Sequence, residues 1–106
     1  MYQIIGEYLE YLELEKGLSQ NTIDAYRRDL SDFAQEIDNI QAITRMTINT
    51  YVRSLRERNL APTSVIRKVA SLRGFFKWAT SSGIIEQNPT ATLEQPKTQQ
   101  RLPKVI

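Results

Sequence analysis

The 106-residue chain contains neither cysteine nor histidine, and each absence removes a class of chemistry. Without cysteine there is no disulfide framework, no thiolate nucleophile and no thiolate metal site, and an intracellular setting is the natural one. Without histidine the commonest general base and the commonest imidazole ligand are gone, so no metal and no cofactor are expected. Long hydrophobic runs are lacking too. The opening MYQIIGEYLEYLELEKG carries acids throughout and has no basic leader, and nothing approaches the roughly 20 apolar residues of a membrane span. No membrane partner and a cytoplasmic location are therefore expected. Strand-like alternation, internal repeats and low-complexity tracts are also missing.

What is present suffices for one folded domain. Hydrophobic residues make up 41% and charged residues 25%, the balance of a globular chain with a single core. The net charge is only +2, but it is unevenly placed. Residues 1–40 hold nine acids against three bases, a net of −6, and residues 41–106 hold eleven bases against three acids, a net of +8. A half that basic fits a polyanionic partner, with an ordinary solvated surface as the plain alternative.

Apolar periodicity divides the chain into helices. Ile5, Leu9 and Leu12, beside Ile4, Tyr8 and Tyr11, mark a first helix over Tyr2 to Lys16, stopped by Gly17. Ser19 caps a second, running from Gln20 to about Ile37 on Ile23, Tyr26, Leu30, Phe33 and Ala34. Asp38 to Met46 reads as a loop with Ile40 and Ile43 tucked inward. Thr47 then reads as the N-cap of a third helix carrying Ile48, Tyr51, Val52 and Leu55, ending at Arg58-Asn59. Pro62 opens a fourth, which runs to about Ser81 ahead of Gly83. A short fifth helical turn is expected over Thr90 to Leu93. The predicted fold is all-α, a compact bundle of four main helices spanning residues 1–93. A basic extended linker follows over residues 94–106, where hydrophobic mass falls away around Pro96 and Pro103.

In the fourth helix Val65, Val69, Leu72, Phe76 and Ala79 fall within about 80° and form the expected buried stripe. Thr63, Arg67, Ala70, Ser71 and Gly74 lie opposite, with Arg73 and Lys77 on one shoulder. Serine and glycine are poor helix formers, so their place in mid-helix suits close approach to a DNA groove; the plain alternatives are that they are tolerated there or sit under a neighbouring helix, with the bases ordinary solvated side chains. In the first case Arg67, Lys68, Arg73 and Lys77 reach base edges or phosphates. Trp78 is assigned to packing rather than to a DNA sugar. At the start of the second helix Ser19, Gln20, Asn21 and Thr22 set short polar groups beside unpaired backbone N–H groups, with Arg27 and Arg28 further on. That end suits a phosphate, or is a plain N-cap.

The run Gly17-Leu18-Ser19-Gln20-Asn21-Thr22, followed by Tyr26-Arg27-Arg28-Asp29-Leu30 and Phe33, resembles the opening of the SAM-like core-binding domain of tyrosine recombinases of the phage integrase and Xer type. Leu72-Arg73-Gly74-Phe75-Phe76-Lys77-Trp78-Ala79, then Gly83-Ile84-Ile85, Asn88-Pro89, Pro96-Lys97 and Leu102-Pro103-Lys104, continue the resemblance in order over nearly the whole chain. It implies an N-terminal half-clamp on a DNA recombination half-site, with the second and fourth helices in the major groove. Its DNA-binding residues would be Asn21, Thr22, Arg28, Thr63, Arg67, Lys68, Ser71, Arg73 and Lys77, with Lys97, Arg101 and Lys104 following the backbone along the linker.

The resemblance also implies the partners: double-stranded DNA, the C-terminal catalytic domain of the same parent chain, and further protomers in a synaptic tetramer in the nucleoid. The family's chemistry uses a tyrosine nucleophile and a His-x-x-Arg element in that C-terminal domain. With no histidine here, and all five tyrosines at packing positions, no catalysis is expected of this stretch. The start at Met1 favours an Xer-like layout without an additional arm-binding domain. Glu7, Glu10 and Glu13 should face away from DNA and toward a neighbouring protomer. Two other readings fit the residues alone: a free-standing DNA-binding regulator, and a helical protein-interaction module.

Overall fold

The computed structural model describes residues 1–37 and 39–93. Among them are four α-helices, one short 3-10 turn and no strand: α1 (Tyr2–Glu15), α2 (Gln20–Glu36), the 3-10 turn (Ile40–Ala42), α3 (Arg45–Glu57) and α4 (Pro62–Ser81). No helix among these residues is long and apolar enough to cross a membrane.

The ends of the helices follow from local chemistry. Gly17 takes φ +65° after α1, and the Ser19 hydroxyl accepts the Thr22 N–H to cap α2. Asn59 closes α3 at φ +58°, and Pro62 occupies the first turn of α4, where no N–H is required. Gly83, at φ +80°, completes a Schellman motif: its own N–H reaches the Thr80 carbonyl at 3.1 Å, and the Ile84 N–H reaches that of Ala79 at 2.9 Å.

Two boundaries differ from the sequence reading. The N-cap of α3 is Thr44, three residues before Thr47. Each threonine hydroxyl accepts the other's backbone N–H, a reciprocal capping box that leaves Thr47 inside the first turn. Nor do the described residues include a fifth helix: Pro89 to Thr92 form turns, begun by Asn88, whose side-chain oxygen accepts from both the N–H and the hydroxyl of Thr90. Thr90 is buried, so this segment lies on the body of the domain. Ile40 is buried as expected, but within the 3-10 turn rather than an irregular loop.

The principal helix pairs are α1 with α2, α2 with α4, α1 with α4, and α3 with α4. Helix α4 therefore touches all three others, and its buried arc is wider than the stripe of large apolar residues. Phe33, Phe75, Phe76, Leu30, Ile48, Leu55 and Leu72 form the centre of the core. The rings meet edge to face, Phe33 with Tyr51 at 4.9 Å and Phe75 with Phe76 at 5.1 Å, a geometry aromatic quadrupoles favour. Trp78 packs against Tyr8, Tyr11 and Phe75, the structural role assigned to it from sequence.

Candidate nucleic-acid interface

Where α2 meets α4, a carboxylate is buried. Asp29 is 3% exposed. Its two oxygens accept from Nε and Nη2 of Arg67, each at 2.9 Å, from the Ser71 hydroxyl at 3.1 Å and from Lys68 Nζ at 3.3 Å. A buried carboxylate is tolerated when paired and hydrogen-bonded in this way. The Arg67 guanidinium is held above its usual pKa, chiefly by its hydrogen bonds to Asp29. One turn along α2, Asp32 accepts from the Tyr51 hydroxyl at 2.7 Å and Arg58 Nη1 at 3.0 Å, and lies 3.7 Å from Lys68 Nζ. Burial works to raise its pKa, but the bonds from Tyr51 and Arg58 and the charge of Lys68 outweigh that and hold it below the ordinary value. Burial and the bond to Asp32 push the Tyr51 hydroxyl well up.

This pair of acids was not among the residues singled out from sequence. The available signal was position: Asp29 lies on the margin of the apolar arc of α2, beside Phe33, while Arg67 and Ser71 are one turn apart on α4. The small-residue strip of α4 is also corrected. Ser71 is buried against Asp29 and presents no surface to a groove. At Gly74 an added Cβ would come within 2.6 Å of the Tyr8 hydroxyl oxygen, so the glycine admits α1 and not a ligand. Of the two surfaces considered from sequence, Ser71 and Gly74 meet the neighbouring helices.

The remaining candidates divide by exposure. Asn21, Arg28, Thr63, Arg67 and Lys77 are exposed, and Thr22 is half-buried with its hydroxyl oxygen accepting from that of Ser19 at 3.0 Å. The Arg67 side chain is 44% exposed against 12% for Lys68. Arg67 therefore presents a cation outward while Lys68 serves as an internal counter-charge. Arg73 is half-buried and donates to the Leu93 carbonyl, tying the segment after α4 to the helix. Lys97, Arg101 and Lys104 lie outside the described residues. Among the described residues no group of acids is arranged to hold a metal ion.

Comparison with known proteins places this geometry in context. Residues 5–83 match the family model described as phage integrase, N-terminal SAM-like domain. A tyrosine recombinase XerD from Staphylococcus haemolyticus is 38% identical over all of this chain and 38% of its own length. Another XerD, from Halalkalibacterium halodurans, is 38% identical over 96% of this chain and 36% of its own length. A tyrosine recombinase XerC from Xylella fastidiosa is 31% identical over all of this chain and 38% of its own. The chain thus spans well under half the length of these relatives. No solved structure matches it.

Proposed function

Because the chain belongs to the family of phage integrase N-terminal SAM-like domains, we propose that it grips duplex DNA through the start of α2 and the exposed side of α4, in support of site-specific recombination. The observation that carries this is the Arg67 guanidinium. Two of its nitrogens are fixed by the buried carboxylate of Asp29, while Nη1 has no partner among the described residues. A cation held in advance loses little side-chain entropy on meeting a phosphate. Arg28 and Lys77 are exposed and add charge. Asn21 and Thr22 stand in the first turn of α2, where backbone N–H groups favour an anion. Phosphate contacts of this kind give register and affinity more than choice of sequence.

In this proposal residues 1–93 are the gripping domain and residues 94–106 the link to a catalytic part of the same parent chain. The relatives are tyrosine recombinases more than twice as long. Strand cleavage is assigned to that other part, and this stretch performs none. Other protomers assemble on the same DNA, in the cytoplasm.

The test is fluorescence anisotropy of a labelled duplex titrated with the chain across salt concentrations, beside Arg28→Ala/Lys77→Ala. Neither residue holds the core, so the variant should fold, which circular dichroism checks. Affinity should fall linearly in log salt and weaken in the variant. Absence of salt-sensitive binding at low ionic strength, or equal binding by the folded variant, overturns the proposal.

A further inference from the structure

Arg67 is not the only guanidinium held by an acid of α2. Taking 100° per residue, Asn21, Arg28 and Asp32 fall within about 40° of one another on that helix, so Asp32 continues the row whose first residues are proposed to meet DNA. It stands about 16 Å beyond Asn21 at 1.5 Å per residue, and its side chain is 27% exposed. A bare carboxylate on that row would repel phosphate. Arg58 covers it: Nη1 donates to Oδ2 of Asp32 at 3.0 Å, and the arginine side chain remains 41% exposed, close to the 44% of Arg67.

Local chemistry fixes Arg58 at that spot. It is the C-cap of α3, where the negative end of the helix dipole favours a cation, and its N–H reaches the carbonyls of Ser54 and Leu55 at 3.1 and 3.2 Å. Asn59 then turns the chain at φ +58°, and α4 opens at Pro62 with Thr63 exposed in its first turn. The carboxylate is oriented in its own right, because the Tyr51 hydroxyl donates to the same Oδ2 at 2.7 Å. Lys68 Nζ lies 3.3 Å from Asp29 and 3.7 Å from Asp32, linking the two acids. Three cations thus share two carboxylates, which leaves one positive charge in surplus, and the exposed members are the guanidiniums of Arg67 and Arg58.

We infer that Arg58 binds a backbone phosphate of the duplex, with Asp32 and Tyr51 as its positioning residues. This rests on the DNA reading proposed above and extends that surface from α2 and α4 to the end of α3. Arg58 acts there in two ways. It offers a guanidinium already anchored, with less side-chain freedom to lose on meeting the phosphate, and it cancels the charge of Asp32. The contact adds affinity and register rather than choice of sequence.

Fluorescence anisotropy of a labelled duplex with the whole chain tests this, from about 50 mM to about 200 mM salt. Arg58→Ala should bind more weakly and flatten the slope of log affinity against log salt by about 0.9, so that its deficit shrinks about 3.5-fold over that range. Arg58→Lys should keep the slope, since the charge remains, and lose part of the affinity, since an ammonium lacks the fork. Arg56→Ala removes the same charge from an exposed position two residues away and should bind like wild type. In an Asp32→Asn background Arg58→Ala should cost less, there being neither an anchor to fix the guanidinium nor a carboxylate to lay bare. Circular dichroism checks folding, and Arg58→Gln, which can still donate to Asp32 without a charge, replaces Arg58→Ala if the latter unfolds. Wild-type affinity and slope in the folded Arg58 variant, an equal loss in Arg56→Ala, or a cost undiminished beside Asp32→Asn overturns the inference, while the DNA reading still stands on Arg28→Ala/Lys77→Ala. A wild type without salt-sensitive binding overturns both.

Discussion

Gly74 and Asp29 are residues whose surroundings the sequence left open, Gly74 between a groove and a neighbouring helix and Asp29 with no place assigned, and both for the same reason. A small side chain or a carboxylate carries no hydrophobic signal, so a helical wheel assigns it outward. Here Gly74 faces α1, with the Tyr8 hydroxyl oxygen 2.6 Å from where a Cβ would sit and the ring carbon bearing it 3.8 Å away. Gly74→Ala should therefore lower stability by about 1 kcal/mol, the overpacking penalty exceeding the gain in helix propensity. In a Tyr8→Phe background, where the offending oxygen is gone, it should be neutral or stabilising by up to about 1 kcal/mol. Urea unfolding of the four proteins measures this, and equal effects in both backgrounds would refute the close approach. Asp32 supplies a pH dependence. Its folded pKa is below the ordinary 3.8, so its contribution is present above that value and lost as pH falls through the lower folded one. Tyr51→Phe should cost about 1 kcal/mol at neutral pH, and the gap to wild type should narrow as Asp32 protonates. A gap that stays constant from pH 7 to pH 3 would show that the hydroxyl acts otherwise.

At the scale of elements the sequence was legible wherever punctuation and period agreed. Ser19, Gly17, Pro62 and Gly83 mark the ends of α1, α2 and α4, and the periodic apolar residues of the four helices supply most of the core, while Tyr2, Leu14 and Met46 stay exposed. The start of α3 was ambiguous because Thr44 and Thr47 each bond the other's N–H, so either is chemically suited to be the cap. The fold makes a distinction the composition could not. Thr44→Ala removes the N-cap and should cost about 1 kcal/mol. Thr47→Ala removes only the return bond of the box and should cost less. Urea midpoints decide, and the reverse order would restore Thr47 as the cap. The buried polar junction of α2 and α4 was illegible for a further reason: it joins residues 38 to 42 positions apart, and no local pattern encodes such a pairing.

For the whole molecule, the net charge of +2 conceals a segregation by helix. The acids of α2 that face α4 are neutralised internally, and those of α1 stay outward. If Arg28 and Lys77 each neutralise one phosphate, their joint removal should flatten the slope of log affinity against log salt by about 1.8. An unchanged slope with weaker binding would place them off the backbone. The central position of α4 bears on how the protein comes apart. Since every other helix leans on it, its amides cannot be freed by peeling any one neighbour away; α3 packs its backbone closely on α4 alone and is joined to α2 by side chains, through the Phe33–Tyr51 ring contact and the bonds of Tyr51 and Arg58 to Asp32. In native-state hydrogen–deuterium exchange, amides from Val69 to Phe76 should exchange only through complete unfolding, with the global free energy and the full denaturant sensitivity. Those of α3 should exchange sooner, through a partial opening that breaks those side-chain links and exposes Ile48, Tyr51, Val52 and Leu55, with a denaturant sensitivity between that of local fraying and that of complete unfolding. This small bundle would then hold two tiers of persistence, a durable trio and a fourth helix on a looser tether.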